Sequence, residues 1–81
     1  MLDQIRVVRN VVGTKQTLKM VKSGKAKIVY LANDVDHHIV VEVEKLCKQN
    51  EVPLVYVDNM DELGKACGIH RKTATAAIVN D

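Results

Sequence analysis

Nowhere in the sequence do about 18 apolar residues run together, and the opening MLDQIRVVRN has no uninterrupted apolar stretch, so neither a membrane span nor a secretory signal is expected. A soluble, cytoplasmic protein is the expectation. Cysteine is scarce: Cys47 and Cys67 stand inside apolar helical patterns, at no spacing that suggests a disulfide framework or a zinc knuckle. Both read as small core residues rather than catalytic thiols, because no positive cluster or helix start adjoins either one. One proline and four glycines, with 47% hydrophobic residues, exclude a disordered tail and indicate a packed globule. The 81 residues form a single domain, 1–81, near the size at which one apolar core can still hold a fold without disulfides or metal.

Acidic residues are also missing from one stretch, residues 12–27, VGTKQTLKMVKSGKAK, which carries five lysines although the whole chain has a net charge of only +2. Residues 1–27 hold seven cations against Asp3, a net +6, whereas residues 28–64 hold two cations against eight acids, a net −6. The segment from residue 65 returns to +2. A near-neutral protein divided in this way can present a basic surface to a polyanion while its acidic part keeps it in solution. Nucleic acid is the natural candidate, and lysines merely solvated around a core are the plain alternative.

Spacing decides between the two. Leu2, Ile5 and Val8 recur every three residues and suggest a first amphipathic helix ending near Asn10. Val11 and Val12 form a short extended piece, and a second helix runs from about Thr14 to Ser23, stopped by Gly24. KIVYLAN and PLVYV read as strands buried on both faces, with TATAAIV as a weaker third. Ile39, Val40, Val43, Leu46 and Cys47 lie on one face of a helix between the first two of these strands. Asn59, with Glu62 three residues later, makes a capping box for a helix through Leu63, Ala66 and Cys67 that Gly68 ends. Alternation of helix and strand predicts an α/β fold, a three-layer α/β/α sandwich with a central four-stranded mixed sheet.

On the second helix Lys15, Lys19 and Lys22 fall at i, i+4 and i+7 and share one face, opposite Leu18 and Val21. Like charges at that spacing disfavour the helix by a few tenths of a kcal/mol per pair, a cost that a nearby polyanion relieves. Gly13 permits close backbone approach, Thr14 can cap the helix, and the free N–H groups of the first turn form an anion site. Gln16 carries a donor and an acceptor and can read a base edge. GTKQT lacks the second glycine followed by Lys and Ser or Thr of a phosphate-binding loop, so ATP hydrolysis is not suggested.

Three blocks in order, GTKQTLKMVKSGKAKIVYLANDVD, VPLVYV and ELGKACGIHR, make the chain resemble the kink-turn-binding ribosomal protein superfamily of archaea and eukaryotes. The resemblance spans nearly the whole chain, and its compact size, without the N-terminal extension of many relatives, resembles a bacterial, ribosome-associated branch. It implies an α/β/α sandwich that clamps a sharply bent RNA containing tandem sheared G·A pairs, where the kink opens a groove otherwise too narrow for side chains. The family's guanine-reading Asn-Glu pair and backbone lysine correspond to Lys15, Gln16 and Lys19. Gln16 keeps an acceptor but loses the carboxylate charge, and Lys15 adds phosphate affinity more than specificity.

The family's second contact loop corresponds to Ile69, His70, Arg71 and Lys72, with Ile69 packing on a nucleotide and Arg71 binding phosphate. Asp36 matches an acidic position near the RNA, which a solvated carboxylate at a helix start explains equally well. Met60 stands where many relatives have a basic contact. The RNA-binding set implied by residues and resemblance together is Gly13, Thr14, Lys15, Gln16, Lys19, Lys22, Asp36, Ile69, Arg71 and Lys72. The expected partner is structured RNA, a kink-turn in ribosomal RNA or an mRNA leader, and the ribosome; a monomer that needs no cofactor and is not an enzyme is expected.

Other readings compete with this one. Asp34, Asp36, His37 and His38 of DVDHH could coordinate a metal, but adjacent histidines at a helix start diverge, so capping and solvation are the better reading and no metal is expected. Asp34 and Asp58, each just after a strand, could serve a receiver-like signalling domain, although such a domain needs a fifth strand. A ribosomal protein-interaction module with only non-specific RNA contact is the remaining alternative.

Overall fold

A computed structural model describes residues 9–69 and 71–80, so the expected first helix over Leu2, Ile5 and Val8 and the expected contact at His70 lie outside the described residues. The described elements are β1 (Asn10–Val12), α1 (Thr14–Lys22), β2 (Ala26–Ala32), α2 (His37–Gln49), β3 (Leu54–Val57), α3 (Met60–Ala66) and β4 (Thr75–Val79). They form one mixed sheet in the order β1-β4-β2-β3, parallel only between β2 and β3. No described helix is long and apolar enough to cross a membrane.

Strand alternation divides the core between the two faces. Val29 and Leu31 of β2, with Ala77 of β4, pack under Leu18 and Val21 of α1 and Val43 and Cys47 of α2. Tyr30 and Ala32, with Ala76 and Ile78, point the other way and pack under Leu63 and Ala66 of α3. Helices therefore cover both faces, as the three-layer expectation requires.

The strands differ in rank from what hydropathy suggests. TATAAIV, the weakest strand in the sequence, is buried at every position of β4 because it lies between β1 and β2. PLVYV was expected to be buried on both faces, yet β3 is an edge strand whose Tyr56 is exposed and donates its hydroxyl hydrogen to Glu44. An apolar run does not record how many strands and helices will come to cover it.

The cysteines fit a structural role. Cys47 is buried and Cys67 half-buried, and loss of solvation pushes both thiols above their ordinary pKa, which disfavours the nucleophilic thiolate.

Candidate nucleic-acid interface

Helices α2 and α3 begin just beyond the carboxyl ends of β2 and β3, and α1 begins beyond the end of β1, where β4 starts. All three helix N-termini thus lie at one end of the sheet, the end at which open α/β sheets hold ligands. They are not equally available. Asn59 Oδ1 accepts from the Glu62 N–H at 2.8 Å and Asp34 Oδ1 accepts from the Met60 N–H at 2.9 Å, so the start of α3 is filled from within. Asp34 is a structural acceptor here, and Met60 packs against the core beneath α3. Neither Gly13 at the start of α1 nor Asp36 at the start of α2 makes a side-chain cap. Two helix ends keep their partial positive charge for an outside acceptor.

Thr14, expected to cap α1, does something else. Its hydroxyl bonds the Thr75 hydroxyl at 2.9 Å, while the Gly13 N–H donates to the Thr75 carbonyl at 2.8 Å. Gly13 holds φ at +105°, a conformation that glycine adopts without strain. These bonds fasten the beginning of α1 to the beginning of β4, 61 residues away in sequence. The cap is missing because Thr14 is already the first helical residue and its side chain is engaged across the sheet.

One consequence is that the two expected contact segments meet. Gly13, Thr14, Ile69, Arg71 and Lys72 line one depression of about 270 Å³. Lys15, Gln16, Lys19 and Lys22 line a larger cleft of about 830 Å³ between α1 and α2, joined to the first through Thr14. All four of these side chains are exposed, whereas Thr17, Leu18 and Val21 between them are buried, so the cationic face of α1 is as the spacing predicts. Asp36 is exposed at the start of α2 and lines neither concavity.

Gly64 was not among the candidate residues, yet it sets the second segment in place. A Cβ at this position would stand 2.0 Å from the Arg71 carbonyl oxygen, so α3 and the loop before β4 touch only because the side chain is absent. On either side of that contact, Ile69 N–H donates to the Gly64 carbonyl at 3.1 Å and Thr73 N–H to the Met60 carbonyl at 3.1 Å. Its signal in the sequence is a glycine inside a helical pattern, where packing is the usual reason. Glu42 of α2 was not among the candidates either, and His38 was weighed only as a metal ligand, yet both line the α1–α2 cleft with the lysines.

The architecture and this end of it define a class: a small α/β/α domain, one end of which joins an uncapped, lysine-flanked helix start to a loop held against a helical glycine. Within that class the chain belongs to the ribosomal protein L7Ae/L30e/S12e/Gadd45 family, whose profile matches residues 4–81. It is 45% identical over 71 residues to an RNA-binding protein of Caldanaerobacter subterraneus subsp. tengcongensis, covering 88% of this chain and 87% of that one. An RNA-binding protein of Halalkalibacterium halodurans is 43% identical over 68 residues, with 84% and 83% covered. Among solved structures, the 15.5kD RNA-binding protein of Giardia lamblia superposes with a TM-score of 0.90 at 29% identity, over 99% of this chain and 71% of its own. A Bacillus halodurans protein of unknown function shares the fold, with a TM-score of 0.88 at 23% identity, over 98% of this chain and 83% of its own.

Proposed function

We propose that this protein acts by binding structured RNA, that its preferred target is a kink-turn with tandem sheared G·A pairs, and that it works in association with the ribosome. The observation that carries the reading is the shared depression of Gly13, Thr14, Ile69, Arg71 and Lys72, continuous with the lysine face of α1. A sharply bent RNA offers two surfaces at once, an opened groove and an adjoining backbone, and two segments fixed side by side suit such a target better than a straight duplex. In this reading Gln16 meets a guanine edge, Lys15 and Lys19 hold phosphates, and Ile69 packs on a nucleotide beside Arg71 and Lys72. The names of the relatives support RNA as the ligand class.

Titration of a kink-turn RNA, and of a copy whose G·A pairs are changed to Watson-Crick pairs, tests it at two salt concentrations. The expected result is clear preference for the kink-turn, loss of that preference in Gln16→Ala, and a salt slope shallower by about one in Lys19→Ala. Equal affinity for the two RNAs refutes kink-turn recognition and leaves a non-specific RNA contact. Cosedimentation with ribosomes at physiological salt tests the association separately.

A further inference from the structure

The cleft between α1 and α2 extends well past the helix start, along the seam between the two helices, and its lining is not that of a phosphate site alone. Leu18 and Ile39 supply an apolar floor, Lys15, Lys19 and Lys22 one wall, and His38 and Glu42, at i and i+4 on α2, the other. At about 830 Å³ it falls in the range of small-molecule sites. Among the described residues the Glu42 side chain has no hydrogen-bond or ion-pair partner, although three lysines line the same cleft.

We propose that this cleft is a second recognition subsite that takes an unpaired guanine nucleotide, with Glu42 accepting hydrogen bonds from guanine N1–H and N2–H and the α1 lysines holding its phosphate. The inference rests on the RNA-binding reading and adds a base and a residue to it. A face made only for phosphates is weakened by a carboxylate, which repels them. Glu42 is explained if the ligand brings a donor to it. Guanine is the one base that presents two neighbouring N–H donors, matching the two oxygens of a carboxylate. Adenine and cytosine each place an acceptor nitrogen beside their amino group, and uracil has one N–H between two carbonyls, so each turns a lone pair toward Glu42. The base lies on Leu18 and Ile39, and the His38 ring offers a plane for stacking, as RNA-binding proteins treat splayed bases.

Methyl resonances of Leu18 and Ile39 in the full chain report occupancy directly. The ligands are GMP, IMP and AMP as free nucleotides, and kink-turn RNAs identical except for one unpaired guanine, inosine or adenine in the bulge. Guanine is expected to bind about tenfold more tightly than adenine, with inosine between them because it lacks the N2 amino group. The preference should vanish in Glu42→Ala, and weaken in Glu42→Gln, which keeps the side chain's size but replaces one acceptor with a donor. Both substitutions are at an exposed helical position, where folding is retained.

Guanine preference among the free nucleotides assigns the subsite to a mobile nucleotide, and preference seen only with RNA assigns it to a base of the bound chain. Equal responses to guanine and adenine, no methyl response in either arm, or a guanine preference that survives Glu42→Ala each overturn the proposal. Discrimination between kink-turn and Watson-Crick RNA is measured on the same samples. If it persists while guanine preference is absent, the proposed function stands and the subsite falls; the reverse result separates them the other way.

Discussion

Replacing Gly64 with alanine changes one hydrogen for a methyl group, and its effect should be felt at a loop several residues away. The new Cβ would lie 2.0 Å from the Arg71 carbonyl oxygen and 3.1 Å from its carbon, where ordinary contact begins at 3.4 Å, so the loop must retreat by roughly 1.4 Å. That loop is tied to the same helix at Gly64 and Met60, and retreat strains both hydrogen bonds. Overpacking of this kind costs about 1–3 kcal/mol, and one weakened hydrogen bond adds about 1 kcal/mol. Alanine returns up to about 1 kcal/mol of helix propensity. A net loss of about 1–3 kcal/mol is therefore expected, or a fall in melting temperature of about 4–24 °C for a domain of this size. Because Arg71 and Lys72 move with the loop, affinity for a kink-turn RNA should drop about tenfold, as expected for the loss of one or two phosphate contacts. Calorimetry and RNA titration well below the melting point measure the two effects independently. A Gly64→Ala protein that melts at or above the wild-type temperature and binds RNA equally well would refute the argument that this glycine positions the loop.

Other substitutions probe the remaining supports. Thr14→Val breaks the hydroxyl pair and leaves the buried Thr75 hydroxyl without its partner, so the urea midpoint should fall by the equivalent of about 1–2 kcal/mol with an unchanged m-value. An unchanged midpoint would show that the pair contributes nothing. Thr17 is fully buried and its hydroxyl has no partner among the described residues; Thr17→Val should raise stability by about 1 kcal/mol, and a lowered melting temperature would contradict that. Asp34→Ala removes the acceptor for the Met60 N–H and should cost about 1 kcal/mol, whereas Asp34→Asn, which keeps an oxygen there, should cost much less. Magnesium binding lost in Asp34→Ala would instead revive a receiver-like role.

Alkaline pH tests burial. Desolvation raises the pKa of Tyr30, Cys47 and Cys67, so the folded state favours their neutral forms. That stability is fully present below the unfolded values, roughly 8.5 for thiols and 10 for the phenol, and is lost as pH rises through the folded ones. Thermal melts should be level up to about pH 8 and fall beyond it; a melting temperature that stays level into the range of tyrosine ionisation would refute the buried-neutral assignment.

The sequence by itself determined the described helices and strands and one chemical face. Helical periodicity is local, so the burial of Leu18 and Val21 opposite exposed Lys15, Lys19 and Lys22 was legible, as was the Asn59 cap on the N–H of Glu62. Strand rank was not legible, because the number of neighbours a strand has depends on segments far away. TATAAIV became the buried β4 by lying between β1 and β2, and PLVYV became an edge. Only the tertiary structure decided that residues near 13 and near 71 share one surface. The antiparallel pairing of Val12 with Ala76 brings the start of α1 to the loop before β4, and the absent side chain of Gly64 lets that loop settle against α3. Thr14 left its expected cap for Thr75 for the same reason, since local propensity yields where a cross-sheet partner is within reach.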